Sequence, residues 1–329
     1  MSLLNSESLH IFKIKEFRLF VLARFFLTLA IQMQFGTLYL QVYYEHSKDE
    51  FILGMVGLCE AFPFIVTSLF SGHFADSFAK KRIIVAAVSV LLLGALILYL
   101  NSSPHIALFS QFGLYALFGI VFLFGITRSF LAASTNPYMS QLVPRQYYTH
   151  SATWNSTAWH TGAILGPVLA GLIYGFHGKY NAAWCHLTEV CLFVLALFFL
   201  VRIQNHGKPE LKTKKESVVE SMKVGLRFVF KNKMVLSAIS LDLFAVLFGG
   251  AVALIPAFTD KILHLGPEAY GLLRTAPAIG AVALETICRQ QAAGRRIGSH
   301  LRQRGSGSGR RKHQAGNQSM NHGSLLELV

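Results

Sequence analysis

Residues 83–100 read Ile83-Ile-Val-Ala-Ala-Val-Ser-Val-Leu-Leu-Leu-Gly-Ala-Leu-Ile-Leu-Tyr-Leu100, a run with no charge and a single hydroxyl before its terminal Tyr-Leu. As a helix it is about 27 Å long, close to the ~30 Å hydrocarbon core of a bilayer. Inside hydrocarbon every backbone N–H and C=O must find a partner within the segment, so such a run is a helix. Lys80-Lys81-Arg82 stands immediately before it. Working outward, similar apolar runs lie near 17–43, 51–74, 105–133, 151–175, 183–203, 234–258 and 270–284. Pro144 is the first firm stop after the fourth, which extends to Val143 on that reading. The fold class is an all-α polytopic membrane protein.

Composition agrees. The 329 residues are 53% hydrophobic and only 14% charged, against about 25% charged in a soluble domain. Mean hydropathy is +0.46. These values exclude a disordered chain, a collagen and a coiled coil, and argue against a soluble enzyme. The first apolar run is too long for a secretory h-region and no small-residue cleavage site follows it, so it is expected to remain as a span. Cys59, Cys185, Cys191 and Cys288 show no C-x-x-C pair, and the 13 His show no metal-ligand spacing. Cys185-His186 reads as packing. No G-x-x-x-x-G-K loop and no Ser/His/Asp constellation is evident. The expectation is no catalytic residue, no metal and no cofactor.

Lys and Arg number 30 against 16 acids, a net charge of +14. The charge sits in short loops. Lys13, Lys15 and Arg18, then Lys80, Lys81 and Arg82, then Arg145, then Arg202 with the eight basic residues of 204–233, all fall on one side. Lys48, Lys179 and Lys261 fall on the other. Basic loops stay in the cytoplasm, which places the amino terminus there and makes lipid, not nucleic acid, the expected partner. Tyr43, Tyr44 and Trp184 near span ends fit an interfacial belt.

Four regions follow: a six-helix bundle over 1–203, a basic linker with an amphipathic helix over 204–233, an incomplete second bundle over 234–284, and a basic tail over 285–329. The eighth run is short, about 22 Å. The tail has none of the chain's 41 aromatics, and carries 8 Lys/Arg against 2 acids. It is either a natural disordered tail or the product of a reading-frame change near residue 283. The abrupt change of composition favours the second.

Two motifs carry a resemblance. The turn Gly72-His-Phe-Ala-Asp76-Ser-Phe-Ala-Lys80-Lys81-Arg82 resembles the signature between helices 2 and 3 of the major facilitator superfamily, with Ser77 and Ala79 replacing the usual arginine and second glycine. Gly72 is expected to permit close helix approach, Asp76 to cap or meet a facing helix end, and the basic residues to hold the cytoplasmic side. In span five, Gly162-Ala-Ile-Leu-Gly166-Pro167-Val-Leu-Ala-Gly171 looks like the glycine–proline signature of the drug:proton antiporter branch. Gly162 and Gly166 form a small-x-x-x-small face, and Pro167 bends the helix. Arg128 matches the arginine that these antiporters often place in helix 4. Asp242 to Gly250, with Pro256, and Gly271 to Pro277 are similar to bacterial exporters of siderophores, macrolides and other drugs. The resemblance covers 17–283 and implies six helices of one bundle and the first two of the other, in a fold that needs twelve, so the chain looks truncated after helix 8.

Arg24, Glu60, Arg128, Glu189, Asp242 and Arg274 fall inside apolar runs. Each costs at least ~2.5–3.5 kcal/mol near the bilayer centre unless paired or hydrated. Glu60 and Asp242 lie deep, and Glu189 is expected nearer an interface. Either Glu60 or Asp242 exchanges a proton while Arg24 or Arg128 tunes it, or these charges are fixed salt bridges that orient helices. Phe35, Tyr39, Phe62, Phe112 and Tyr115 either line a cavity or face lipid. The resemblance implies an efflux transporter of drugs or siderophore-like small molecules, proton-coupled, multi-pass in a bacterial inner membrane. A non-transporting remnant is the alternative. An impermeant thiol reagent should reach a cysteine placed at Ser77 from the cytoplasmic side only, and cysteines at Lys48, Lys179 or Lys261 from outside only. The reverse pattern sinks the orientation.

Overall fold

The computed structural model describes residues 10–103, 113–176, 181–204, 227–249, 253–277 and 279–280. The apolar runs fold as α1 (Lys15–Gln41), α2 (Glu50–Ser77), α3 (Lys80–Ser102), α4 (Gly113–Leu142), α5 (Tyr148–Phe176), α6 (Asn181–Val201), α7 (Lys233–Gly249) and α8 (Ile255–Lys261), followed by a helical segment α9 over 267–277. The first six are long and apolar enough to cross a membrane. α4 runs to Leu142, as Pro144 dictates. The seventh run is divided between α7 and α8, with 250–252 outside the described residues. The expected amphipathic helix falls mostly on 205–226, and the tail on 281–329; both lie outside the described residues.

Met1–Ala276 form one compact unit, and Pro277–Val329 are a second. Within the first, α1 packs chiefly on α5 and α6, α2 on α4, and α3 on α4 and α6. Lipid tails are as apolar as leucine, so these pairings depend on close van der Waals fit rather than on escape from water. Small residues supply that fit. A Cβ on Gly166 would lie 2.7 Å from Gln32 Cβ and 2.9 Å from the Met33 nitrogen, and one on Gly162 would lie 3.0 Å from the Leu29 nitrogen. The expected small-residue face therefore seats α5 on α1. A Cβ on Gly36 would meet Ala170 Cβ at 2.8 Å from the opposite side of the same contact.

The short connections are built by local chemistry. α1 continues into a π-helical turn, Val42–Ser47, which ends at Lys48 in the left-handed region at φ 48°. Asp49 then caps α2 by accepting the Phe51 N–H at 2.8 Å. At the other end of α2, only Phe78 and Ala79, both extended, separate it from α3. Pro63, Pro137 and Pro167 lie inside α2, α4 and α5. Each removes a donor and crowds the carbonyl four residues earlier, which bends a helix without ending it.

Gly72 departs from expectation: among the described residues a Cβ there would meet nothing within 4 Å, so this glycine seats none of the described helices. The two glycines should therefore answer oppositely to alanine. Gly166→Ala should lower unfolding stability in detergent by about 1–3 kcal/mol through overpacking. Gly72→Ala should raise it by roughly 0.5–1 kcal/mol through helix propensity. Equal effects would refute the assigned seating of α5.

Candidate functional site

The charged group midway along α2 and α4 starts from a glycine. A Cβ on Gly125 of α4 would fall against the Glu60 carbonyl oxygen and lie 2.8 Å from Pro63 Cγ. Only glycine lets α4 lie this close to α2. One turn further on, midway along α4, the Arg128 guanidinium pairs with the Glu60 carboxylate. Glu60 is 14% exposed and Arg128 29%. The Arg128 guanidinium also stacks 4.1 Å from the centroid of Phe35. Arg274 of α9 lies 5.8 Å from the Tyr39 ring and acts electrostatically on both Glu60 and Arg128. Four elements thus converge: α1 gives two aromatic walls, α2 a carboxylate, α4 and α9 a guanidinium each. Contact with a ring is worth about 0.5–2 kcal/mol to such a cation, more as water is excluded.

Of the candidate site residues, Glu60 and Arg128 are brought together, and Arg274 joins them. Arg24 does not. It is half-buried on α1, and its Nε has no hydrogen-bond partner among the described residues. Asp242 sits on α7, with its side chain outside the described residues. Of the five candidate aromatics, Phe35 and Tyr39 reach this group; Phe62 and Tyr115 are exposed, and Phe112 lies outside the described residues.

The Asp76 turn is tied inward. Asp76 is half-buried and engaged. Lys80 and Lys81 are buried, while Arg82 is exposed. Lys81 Nζ donates to the carbonyls of Val201, at 3.1 Å, and Ile203. It thereby satisfies the carboxyl end of α6, where partial negative charge collects. Two of the three basic side chains expected at the membrane surface are therefore built into the bundle. In span five, Gly171 faces Gly271 of α9, where a Cβ would lie 3.0 Å from the Gly271 nitrogen. Gly162 and Gly166 face α1, and Gly171 faces α9, with the helix-bending Pro167 between them.

Glu189 corrects an expectation. It is fully buried inside the bundle, as is His186, rather than open to the surface. Glu189 Oε2 lies 2.9 Å from His186 Nδ1, and His186 Nε2 lies 3.0 Å from Gln41 Oε1. Gln41 Nε2 donates to Ser102 Oγ at 2.8 Å. His186 therefore belongs to a polar network rather than to apolar packing. The signal was available: a His and a Glu three apart on an apolar helix share a face.

At the α1–α2 connection, a second set of charges clasps α8. The Tyr43 hydroxyl donates to Asp260 Oδ2 at 2.9 Å, Lys48 Nζ lies 3.0 Å from the same oxygen, and Lys261 pairs with Glu50. Lys48, with Tyr43, holds the Asp260 carboxyl below its ordinary value. Nothing in the sequence linked residues more than 200 positions apart.

The comparisons with known proteins accord with this architecture. A family model of the Major Facilitator Superfamily matches residues 20–305. The chain is 21% identical over 228 residues to Multidrug resistance protein 2 of Bacillus subtilis (strain 168), covering 68% of this chain and 53% of that protein. It is 23% identical over 209 residues to the Multidrug efflux pump Tap of Mycolicibacterium fortuitum, covering 61% of this chain and 49% of that one. The chain spans about half the length of these curated relatives. With a match across most of its length and six membrane-capable helices, the chain belongs to the Major Facilitator Superfamily, a superfamily of membrane transporters rather than enzymes.

Proposed function

We propose that this protein moves amphipathic small molecules of the drug or siderophore-like class outward across a bacterial inner membrane, in exchange for protons. The observation that carries this reading is the Glu60–Arg128 pair midway along two membrane-capable helices, walled by Phe35 and Tyr39 and faced by Arg274. A buried carboxylate beside two guanidiniums is a place where a proton and a substrate donor compete. Substrate that donates to Glu60 displaces Arg128. A proton arriving from outside restores a neutral carboxyl and expels the donor. Two arginines disfavour a bare cation, so the substrate presents uncharged donors, such as aromatic hydroxyls, and stacks on the rings.

The clasp of Lys48, Tyr43 and Glu50 on Asp260 and Lys261 supports alternating access. With the amino terminus in the cytoplasm, it closes the outer end while the Glu60 cleft faces inward.

In proteoliposomes of the full chain, an imposed pH gradient should drive uptake of a fluorescent amphipathic substrate into inverted vesicles. Glu60→Gln should lose the gradient dependence and slow flux at least about tenfold, a barrier rise of ~1.4 kcal/mol. Absence of flux in the unmodified chain overturns the transport reading. Arg128→Ala strands the Glu60 charge and should cost about 3–5 kcal/mol of stability, much of it recovered in Glu60→Gln/Arg128→Gln.

The clasp has its own pH signature. Asp260 is held below its unfolded value of about 3.9, so its contribution is full above that value and lost as pH falls through the lower folded one. A double-mutant cycle on Lys48 and Asp260 should give ~0.2–1 kcal/mol at neutral pH, vanishing in strong acid. Coupling that grows on acidification would refute the assignment.

A further inference from the structure

The His186–Glu189 pair takes no part in the Glu60 site, yet it is the most enclosed ionisable cluster described. Both side chains have no exposed surface. They occupy the junction of α1, α3 and α6, early in α6 and beside the last residue of α3. His186 is therefore about 8 Å along the axis from the start of α6. That end of the bundle is shared with the Lys48–Asp260 clasp, and Ser102 of the network stands half-exposed there.

The direction of the hydrogen bonds counts the protons. Gln41 donates its Nε2 to Ser102, so the atom it offers His186 is Oε1, an acceptor. In this amide orientation His186 Nε2 carries the hydrogen. If His186 is neutral, its Nδ1 has only a lone pair, and the 2.9 Å contact with Glu189 requires the carboxyl to be the donor. If instead Nδ1 also carries a hydrogen, the ring is a cation and Glu189 a carboxylate. Either way the pair holds one proton more than a neutral imidazole beside a carboxylate. The second oxygen decides between them. Glu189 Oε1 is buried and has no hydrogen-bond partner among the described residues. An ionised carboxylate with an oxygen left bare costs far more than a carbonyl oxygen of a neutral acid.

We propose that His186 and Glu189 form a proton-binding site, with the proton on Glu189 Oε2 donated to His186 Nδ1, and that this is a proton exchanged against substrate; the second clause rests on the transport reading above. Loss of the proton is accommodated locally. The proton leaves to water at the Ser102 end, the imidazole hydrogen moves to Nδ1 to face the new carboxylate, and the Gln41 amide turns so that its NH2 meets the bare Nε2. Its oxygen then accepts from the Ser102 hydroxyl. Both imidazole nitrogens keep a partner in each state, while Glu189 Oε1 stays bare, so the deprotonated state is the costlier one; the two differ by one proton, one imidazole tautomer and one amide rotation.

The titratable surroundings are few. Cys185 adjoins on the same helix, where its thiol donates to the Ala170 carbonyl of α5 at 3.7 Å. Tyr174 of α5 donates to Glu45 of the α1 extension at 3.0 Å, and Glu45 and Glu189 both act on Cys185. The last turns of α3, 91–102, hold no charged residue, and Tyr99 is their titratable side chain.

The test is infrared difference spectroscopy of the full chain in lipid nanodiscs, between acidic and alkaline buffer. A protonated-carboxyl carbonyl band should be present, lost in Glu189→Gln and retained in Glu60→Gln. A band unaffected by Glu189→Gln overturns the site. Nitrogen-15 NMR of the unmodified protein, with His186 assigned from His186→Gln, needs no folded Glu189 variant. It should show an Nε2–H ring whose Nδ1 accepts a hydrogen bond in acid, converting to Nδ1–H in alkali; an Nδ1–H ring in both buffers overturns the site. In vesicles, Glu189→Gln should abolish gradient dependence while leaving downhill substrate flux within about twofold. Gradient dependence kept in that variant overturns the coupling role. If the unmodified chain shows no flux, the transport reading fails, and the two spectra still decide the proton site.

Discussion

A charge in hydrocarbon must be answered by another charge or by water, and this constraint organises the bundle. Glu60 and Arg128 sit midway along neighbouring helices, and each removes the penalty of the other. The pairing needs α2 and α4 close together at that depth. Gly125 and Pro63 supply the approach one turn away. The aromatic walls come from α1, whose own place is fixed by Gly162 and Gly166 of α5. Electrostatics at the centre thus depends on side chains that are nearly absent.

The charged groups sort by depth. Glu60, Arg128 and Arg274 meet between helices and are partly exposed. His186 and Glu189 lie in a sealed junction. Lys48, Glu50, Asp260 and Lys261 lie at a solvated end, where each pair is individually weak. The π-helical turn after α1 belongs to the same end. It adds a residue to the last turn and leaves Tyr43 buried against Asp260.

Much of this was legible in the chain. The uninterrupted run from Ile83 fixed a helix because backbone groups have no other partner in lipid. Pro144 marked the end of α4, and the Gly162–Gly166 spacing announced a packing face. Gly72 misled because its motif speaks of a close approach that none of the described residues makes. Glu189 misled because its distance from a span end said nothing of what covered it, and His186 beside Cys185 looked like filler.

The amino-acid order therefore determined the helices, their number over the first two hundred residues, and which charges stand among apolar neighbours, since these follow from local hydropathy and hydrogen-bond supply. Tertiary structure alone decided who answers whom: Arg128 with Glu60, Asp260 with Lys48, Gln41 with His186. Such partners come from helices distant in sequence, and their meeting depends on how closely two backbones can lie, which small residues permit and periodicity does not reveal.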